Sequence, residues 1–216
     1  MAYNAIVFDL DGTLLNTLDD LADATNRALA QGGFPTHDVG LYNYFVGDGM
    51  RNLILRTLPE AHRDDETLAT TIKAFQAEYA KNWADKTVPY DGVPEMLDAL
   101  SERGVPKAVL SNKPHEFTQL CVEKLLPGRE FGMVAGVSDV TPKKPDPAGA
   151  LSVAECLGVP PAEFLYVGDT NTDMKTANAA GMFAVGVTWG FRPAEELTAN
   201  GARVLIDRPE QLLDLV

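Results

Sequence analysis

The sequence predicts an α/β fold: a doubly wound parallel sheet whose first strand is separated from the rest by an inserted helical segment. Three observations lead there. Short, mostly continuous apolar runs recur along the chain, as parallel strands covered on both faces require. Stretches with helical spacing of apolar residues alternate with them. That alternation stops between about residues 17 and 83, where helical patterns continue without a convincing strand.

The first strand is expected at 5–8, Ala5-Ile6-Val7-Phe8. Helical patterns then cover 18–30, 50–58 and 68–83. Roughly 65 residues lie far beyond an ordinary connection. Residues 17–83 are therefore expected to form an α-helical cap domain, and residues 1–16 with 84–216 the catalytic core. The chain returns near Pro89-Tyr90-Asp91-Gly92. The pattern over 94–103 carries Met96, Leu97 and Leu100 and stops at Gly104, before Pro106. Further strands are expected at 107–110, 133–137, 164–167, 183–187 and 203–206, with helices at 115–126, 148–157, 173–180 and 210–215. In such a sheet, ligand groups gather at the carboxyl ends of the strands.

Composition narrows the function. The 216 residues suit one domain or a domain with a smaller insertion, and a hydrophobic fraction of 45% is ordinary for a soluble protein. No apolar run approaches the roughly 18 residues of a membrane span. The opening Met1-Ala2-Tyr3-Asn4 lacks a basic leader, and a signal peptide is not expected. Cys121 and Cys156 stand far apart, without CxxC spacing, and are expected as two buried thiols in a reducing cytoplasm. His37, His62 and His115 are unclustered and read as surface or capping residues. A formal net charge of −13 argues against a nucleic-acid or anionic-membrane surface. It also means that an anionic ligand needs a local reversal of potential, from a metal, a lysine or backbone N–H groups.

Four segments carry the chemistry. The first strand runs into Asp9-Leu10-Asp11-Gly12-Thr13. Carboxylates two residues apart on an extended chain point the same way. Asp9 is suited to attack phosphorus while Asp11 manages protons, and Thr13 brings a hydroxyl near the same point. A calcium loop starting at Asp9 would need glycine where Leu14 stands, and helices rather than a strand on its flanks. The second segment is Ser111-Asn112-Lys113-Pro114. Its Ser111 hydroxyl and Asn112 N–H are candidate donors to a phosphoryl oxygen, although the same residues make a competent helix cap. The third is Thr141-Pro142-Lys143-Lys144-Pro145-Asp146-Pro147, a proline-stiffened loop on which one lysine could neutralise phosphoryl charge. The fourth is Gly168-Asp169-Thr170-Asn171-Thr172-Asp173, where Asp169 and Asp173 offer hard oxygens suited to Mg²⁺ and either Asp169 or Thr170 can cap a helix.

Together these segments resemble the haloacid dehalogenase superfamily of phosphotransferases, along essentially the whole chain. The resemblance implies a Rossmann-like core with an inserted cap. It implies Asp9 as nucleophile, Asp11 as general acid and then base, Ser111 as a phosphoryl donor, and Lys144 rather than Lys143 as the charge-neutralising lysine. Mg²⁺ would be held by the carboxylates of Asp9 and Asp169 and the main-chain carbonyl of Asp11. Asp173 would ligate it or orient its waters. Asp11 itself argues for phosphate esters, since the dehalogenases and phosphonatases of the superfamily lack a carboxylate there. Val46-Gly47-Asp48-Gly49, Val187-Thr188-Trp189-Gly190 and the closing Ile206-Asp207 to Leu212-Leu213 stretch resemble the phosphoglycolate phosphatases within it. Asn16 stands where such proteins often carry aspartate, and its amide is expected to cap the helix opening at Thr17.

The cap is the expected seat of substrate choice, with Gly47, Asp48, Gly49 and Arg51 as candidate contacts. The expectation is a cytoplasmic, Mg²⁺-dependent phosphatase, monomeric or a small homo-oligomer, acting on a small phosphate ester such as 2-phosphoglycolate. A sugar-phosphate mutase of the β-phosphoglucomutase type would carry the same motifs. A non-enzymatic phospho-aspartate receiver would share the acidic residues and lysine, but is usually smaller and lacks the helical insertion.

Overall fold

The apolar runs become six strands of one parallel sheet. The computed structural model describes residues 3–216, and the chain divides into two units. One ends its first segment at Leu15 and resumes over Pro89–Val216; the other is Asn16–Val88. In chain order the elements are β1 (Ala5–Phe8), β2 (Leu15–Asn16), α1 (Leu18–Gln31), α2 (Tyr42–Phe45), α3 (Gly49–Thr57), α4 (Asp65–Asn82), β3 (Val88–Pro89), α5 (Val93–Glu102) and β4 (Lys107–Pro114). There follow α6 (His115–Leu125), β5 (Met133–Val137), α7 (Ala148–Leu157), β6 (Phe164–Gly168), α8 (Asn171–Ala180), β7 (Phe183–Val187), α9 (Ala194–Ala199) and β8 (Val204–Ile206). The closing segment, Pro209–Asp214, is a 3₁₀ helix.

The sheet order is β5-β4-β1-β6-β7-β8, with every neighbouring pair parallel. From β1 the chain winds outward through β4 and β5, then crosses back to build β6, β7 and β8 on the other side. Strands β1 and β6 therefore flank the point where the winding reverses, the usual ligand crevice of such sheets. All four residues of β1 are buried, because the central strand is covered on both faces. Register sets the site: Phe8 lies level with Val109 of β4 and Val167 of β6. The segments after β1, β4 and β6 consequently leave the sheet at one edge.

Helix α8 shows how local sequence fixes that edge. Thr170 and Asp173 form a reciprocal capping box, each side chain accepting the other's backbone N–H. The helix ends at Gly181, whose φ of 72° suits a residue without a Cβ. Cys121 is buried, but Cys156 is exposed, which corrects the expectation of two buried thiols. The buried stripe of α7 runs through Ala150, Val153 and Ala154, and Cys156 falls outside it.

In the helical unit, α1 packs on α4, which buries Leu68, Thr71, Phe75 and Tyr79. The sequence placed its C-terminal limit at Trp83; the structure carries it to Val88. The reason is Asp20 of α1, whose buried carboxylate accepts the N–H groups of Lys86 (3.0 Å) and Thr87 (2.8 Å) and the Thr87 hydroxyl (2.7 Å). Asn16 does not cap α1. It is exposed within β2, and the helix opens at Thr17 without a side-chain cap. His37 is structural, with Nε2 2.8 Å from the Thr57 carbonyl. Among the described residues no helix is long and apolar enough to cross a membrane.

Candidate active site

Asp9 is the first residue beyond β1, held to β6 by its N–H to the Val167 carbonyl at 2.9 Å. Its Oδ1 accepts the Leu10 N–H at 2.7 Å and the Lys144 ammonium at 2.9 Å. Among the described residues no hydrogen bond engages Oδ2. The chain then turns at Gly12, where φ is 86° and a Cβ would strike the Asp169 carboxylate and the Phe191 ring.

Lys144, rather than Lys143, is the fully buried lysine at this edge. Its Nζ reaches Asp9 Oδ1, Asp173 Oδ1 at 2.7 Å and the Leu110 carbonyl at 3.1 Å, which uses its three donors. The loop that carries it is clamped by Asn112: the Asn112 Oδ1 accepts the Lys144 N–H at 2.8 Å, and its Nδ2 donates to the Lys144 carbonyl at 3.2 Å. The Asn112 side chain thus positions the lysine.

Asp169 is the first residue beyond β6 and is fully buried. Its Oδ1 accepts the Thr13 hydroxyl and its Oδ2 the Phe191 N–H, both at 2.8 Å. Thr13, expected to meet substrate, instead spends its hydroxyl proton on Asp169. Asp173 gives Oδ1 to Lys144 and Oδ2 to the Thr170 hydroxyl (2.6 Å) and N–H (3.1 Å), with the Tyr166 hydroxyl 3.5 Å from Oδ1.

Asp9, Asp169 and Asp173 bring carboxylate oxygens within 4.8 Å of one another, all buried. Three carboxylates here share one ammonium. Burial, and then the Asp173 charge, push Asp169 up to about 7, against the Phe191 and Thr13 hydrogen bonds that favour its charged form. Burial raises Asp9 too, reinforced by Asp173 and opposed by Lys144. Lys144 moves the other way: burial alone would lower it, but its two carboxylate partners outweigh burial and hold it protonated. Unbalanced negative charge on hard oxygen donors suits a divalent cation such as Mg²⁺. Asp9, with its unengaged Oδ2, and Asp169 fit that role, whereas both oxygens of Asp173 already serve protein donors.

Asp11 lies outside this carboxylate cluster. Both of its oxygens meet the Lys113 ammonium, at 2.9 and 3.0 Å, so its carboxylate is already engaged by a cation of the protein. Ser111 is buried and its Oγ accepts the Lys113 N–H at 3.2 Å, which leaves its hydroxyl proton to donate elsewhere.

Two groups of site residues were missed in the sequence. Lys113 stands two residues beyond Ser111 on an extended strand, the same spacing that paired Asp9 with Asp11, and that alternation was its only signal. Trp189, Gly190 and Phe191 follow β7 and were read only as a likeness. In the structure the Trp189 Nε1 donates to the Thr13 carbonyl at 3.0 Å, and Phe191 donates to Asp169. Gly190 is small because a Cβ there would strike Asp169 and the Gly12 carbonyl.

The candidate selector residues belong to the helical unit. Gly47 and Gly49 take positive φ, 104° and 77°. The Asp48 carboxylate pairs with Arg56, which also donates to the Phe45 carbonyl at 3.0 Å. The Arg51 side chain is 62% exposed and lies 3.4 Å from Asp65.

Residues 6–187 match the family described as haloacid dehalogenase-like hydrolase. The chain is 34% identical over 212 residues to a phosphoglycolate phosphatase of Pseudomonas putida, spanning 96% of this chain and 78% of that one. It is 33% identical over 221 residues to a phosphoglycolate phosphatase of Pectobacterium atrosepticum, spanning 100% and 93%. A solved structure from Lactobacillus delbrueckii subsp. bulgaricus, provisionally assigned as a phosphoglycolate phosphatase, aligns with a TM-score of 0.93 at 32% identity, over 98% of this chain and 97% of that one.

Proposed function

The chain belongs to the haloacid dehalogenase-like hydrolases, and on that premise we propose that it is a cytoplasmic phosphatase of small phosphomonoesters, 2-phosphoglycolate foremost, working through a phospho-aspartate on Asp9. The observation that carries this reading is the Asp9–Lys144–Asp173 chain of contacts beside Asp169, at the reversal point of the sheet.

An Asp9 carboxylate oxygen attacks phosphorus and the bond from phosphorus to the ester oxygen breaks. That oxygen leaves with a proton from the Asp11 carboxyl. Water then attacks the same phosphorus and gives its proton to Asp11. The acyl phosphate bond breaks, releasing inorganic phosphate and the Asp9 carboxylate. Lys144 holds Asp9 in place and faces the incoming phosphoryl charge, while the Ser111 hydroxyl donates to a phosphoryl oxygen. Asp9, Asp169 and the Asp11 carbonyl would hold Mg²⁺, with Asp173 placed to orient its waters, and the ion would add neutralisation of the transferring group. Gly47, Asp48, Gly49 and Arg51 are the proposed selectors, with the Arg51 guanidinium suited to a substrate carboxylate.

The test is release of inorganic phosphate from 2-phosphoglycolate, beside sugar and nucleotide monophosphates, with and without Mg²⁺. Preference for 2-phosphoglycolate, lost in Asp9→Asn, is the expected result. Uniform release across the panel removes the named substrate. Rearranged sugar phosphate in place of inorganic phosphate makes the chain a mutase. Mg²⁺ binding has its own readout, a gain of about 2.7 kcal/mol in stability at a hundredfold excess over Kd, seen as a higher melting temperature and absent in Asp169→Asn.

A further inference from the structure

We infer that Lys113 is a positioning residue for the proton-transfer step, fixing the Asp11 carboxylate where it serves the leaving oxygen and then the attacking water. The inference rests on the phosphatase reading above and adds a residue to it.

Lys113 is built to deliver its charge to one place. Its N–H donates to Ser111 Oγ, and its carbonyl accepts the Thr118 hydroxyl at 3.3 Å. Gly136 of β5 lies so close that a Cβ would strike that same carbonyl. With its backbone held from α6 and β5, the side chain runs to Asp11 and is only 4% exposed. Taking an ammonium out of water is costly unless an anion is placed for it. Asp11 is that anion, 17% exposed and met through both oxygens at 2.9 and 3.0 Å.

Lys113 is not a second copy of Lys144. Lys144 spends its three donors on Asp9, Asp173 and the Leu110 carbonyl. The two lysines divide the carboxylates between nucleophile and acid–base group. A carboxylate on a turn can rotate about its side-chain bonds, and a two-oxygen contact removes that freedom. When Asp11 carries its proton on one oxygen, the other still accepts Lys113. Misplacing such a group by about 1 Å costs on the order of 10²-fold in rate.

The experiment compares leaving groups. Wild-type enzyme, Lys113→Met and Lys113→Arg are assayed on 2-phosphoglycolate, on an alkyl phosphate with an uncharged tail, and on 4-nitrophenyl phosphate, whose leaving group departs without a proton. Lys113→Met should slow the first turnover, in which Asp9 takes the phosphoryl group, by about 10²-fold on both alkyl esters, with the first-turnover burst of 4-nitrophenol at close to the wild-type rate. Lys113→Arg keeps the charge but shifts the donors. Its loss should be smaller with the same leaving-group dependence, and it carries the test if Lys113→Met does not fold. In an Asp11→Asn background, Lys113→Met should add no further loss on the alkyl esters, because both act through one carboxylate. Equal loss in the first turnover of all three substrates, additive loss with Asp11→Asn, or a rise in KM confined to 2-phosphoglycolate overturns the inference. The last result would make Lys113 a receptor for the substrate carboxylate. Wild-type enzyme inactive on every substrate would instead defeat the phosphatase reading itself.

Discussion

The core unit and the helical unit use charge in opposite ways. At the edge of the core sheet, ionic side chains are buried and join distant parts of the chain: Asp11 to Lys113, Asp9 to Lys144, and Thr13 by hydrogen bond to Asp169. In the helical unit the pairs reach solvent, such as Lys81 with Glu78 one turn away, or Arg51 with an Asp65 that is 98% exposed. Buried pairs cost desolvation and must be completed to be tolerated, whereas exposed pairs contribute little and are free to change. The contrast teaches that reaction chemistry demands fixed groups, and that a selecting surface is better made from groups whose replacement leaves the fold intact.

Breaking the core side of this contrast should have the largest effect. Lys144→Met leaves Asp9 and Asp173 buried without their cation, and should cost about 3–5 kcal/mol in chemical denaturation of metal-free protein. An unchanged midpoint would mean that water reaches this cluster. Gly190→Ala forces a Cβ against Asp169 and the Gly12 backbone. A loss of about 1–3 kcal/mol is expected, with weakened Mg²⁺-induced stabilisation because Asp169 is displaced. Wild-type behaviour on both measures would show that the loop yields.

The helical unit has one place built like the core, and it sharpens the comparison. Asp20 is buried and carries the returning segment at Lys86 and Thr87. Asp20→Ala should cost about 1–2 kcal/mol, without altering kcat measured well below the melting temperature. A kcat change would tie this junction to turnover. Arg51→Ala should be the mildest, moving stability by no more than about 0.5 kcal/mol. Its effect is expected in KM for carboxylate-bearing esters, and an unaltered substrate ranking would strike Arg51 from the selectors.

Strand positions were legible because a buried parallel strand needs a continuous apolar run, as 5–8 and 183–187 show. Asp9 and Asp169 were legible because each follows such a run directly. What the sequence hid was partnership across the chain. Nothing local distinguishes Lys113 from a surface lysine until β4 is laid beside β1. The clamp made by the Asn112 side chain was hidden because its partner, the Lys144 backbone, lies 32 residues away. Gly190 carried no signal of its own, since its smallness answers to Gly12 and Asp169 rather than to a neighbour in sequence. The short α9 was passed over because six residues hold too few turns to show a period.

Asp173 is at once the third residue of a helix cap and the partner of Lys144. The first turn of α8 and the charge cluster are therefore joined through one carboxylate, and neither can open without disturbing the other. Fraying at that helix start, ordinarily a low-energy fluctuation at a terminus, must here also release the lysine facing Asp9. Slow amide hydrogen exchange in the first turn of α8 is the consequence, so protection there would follow the integrity of the catalytic charges without any substrate being turned over.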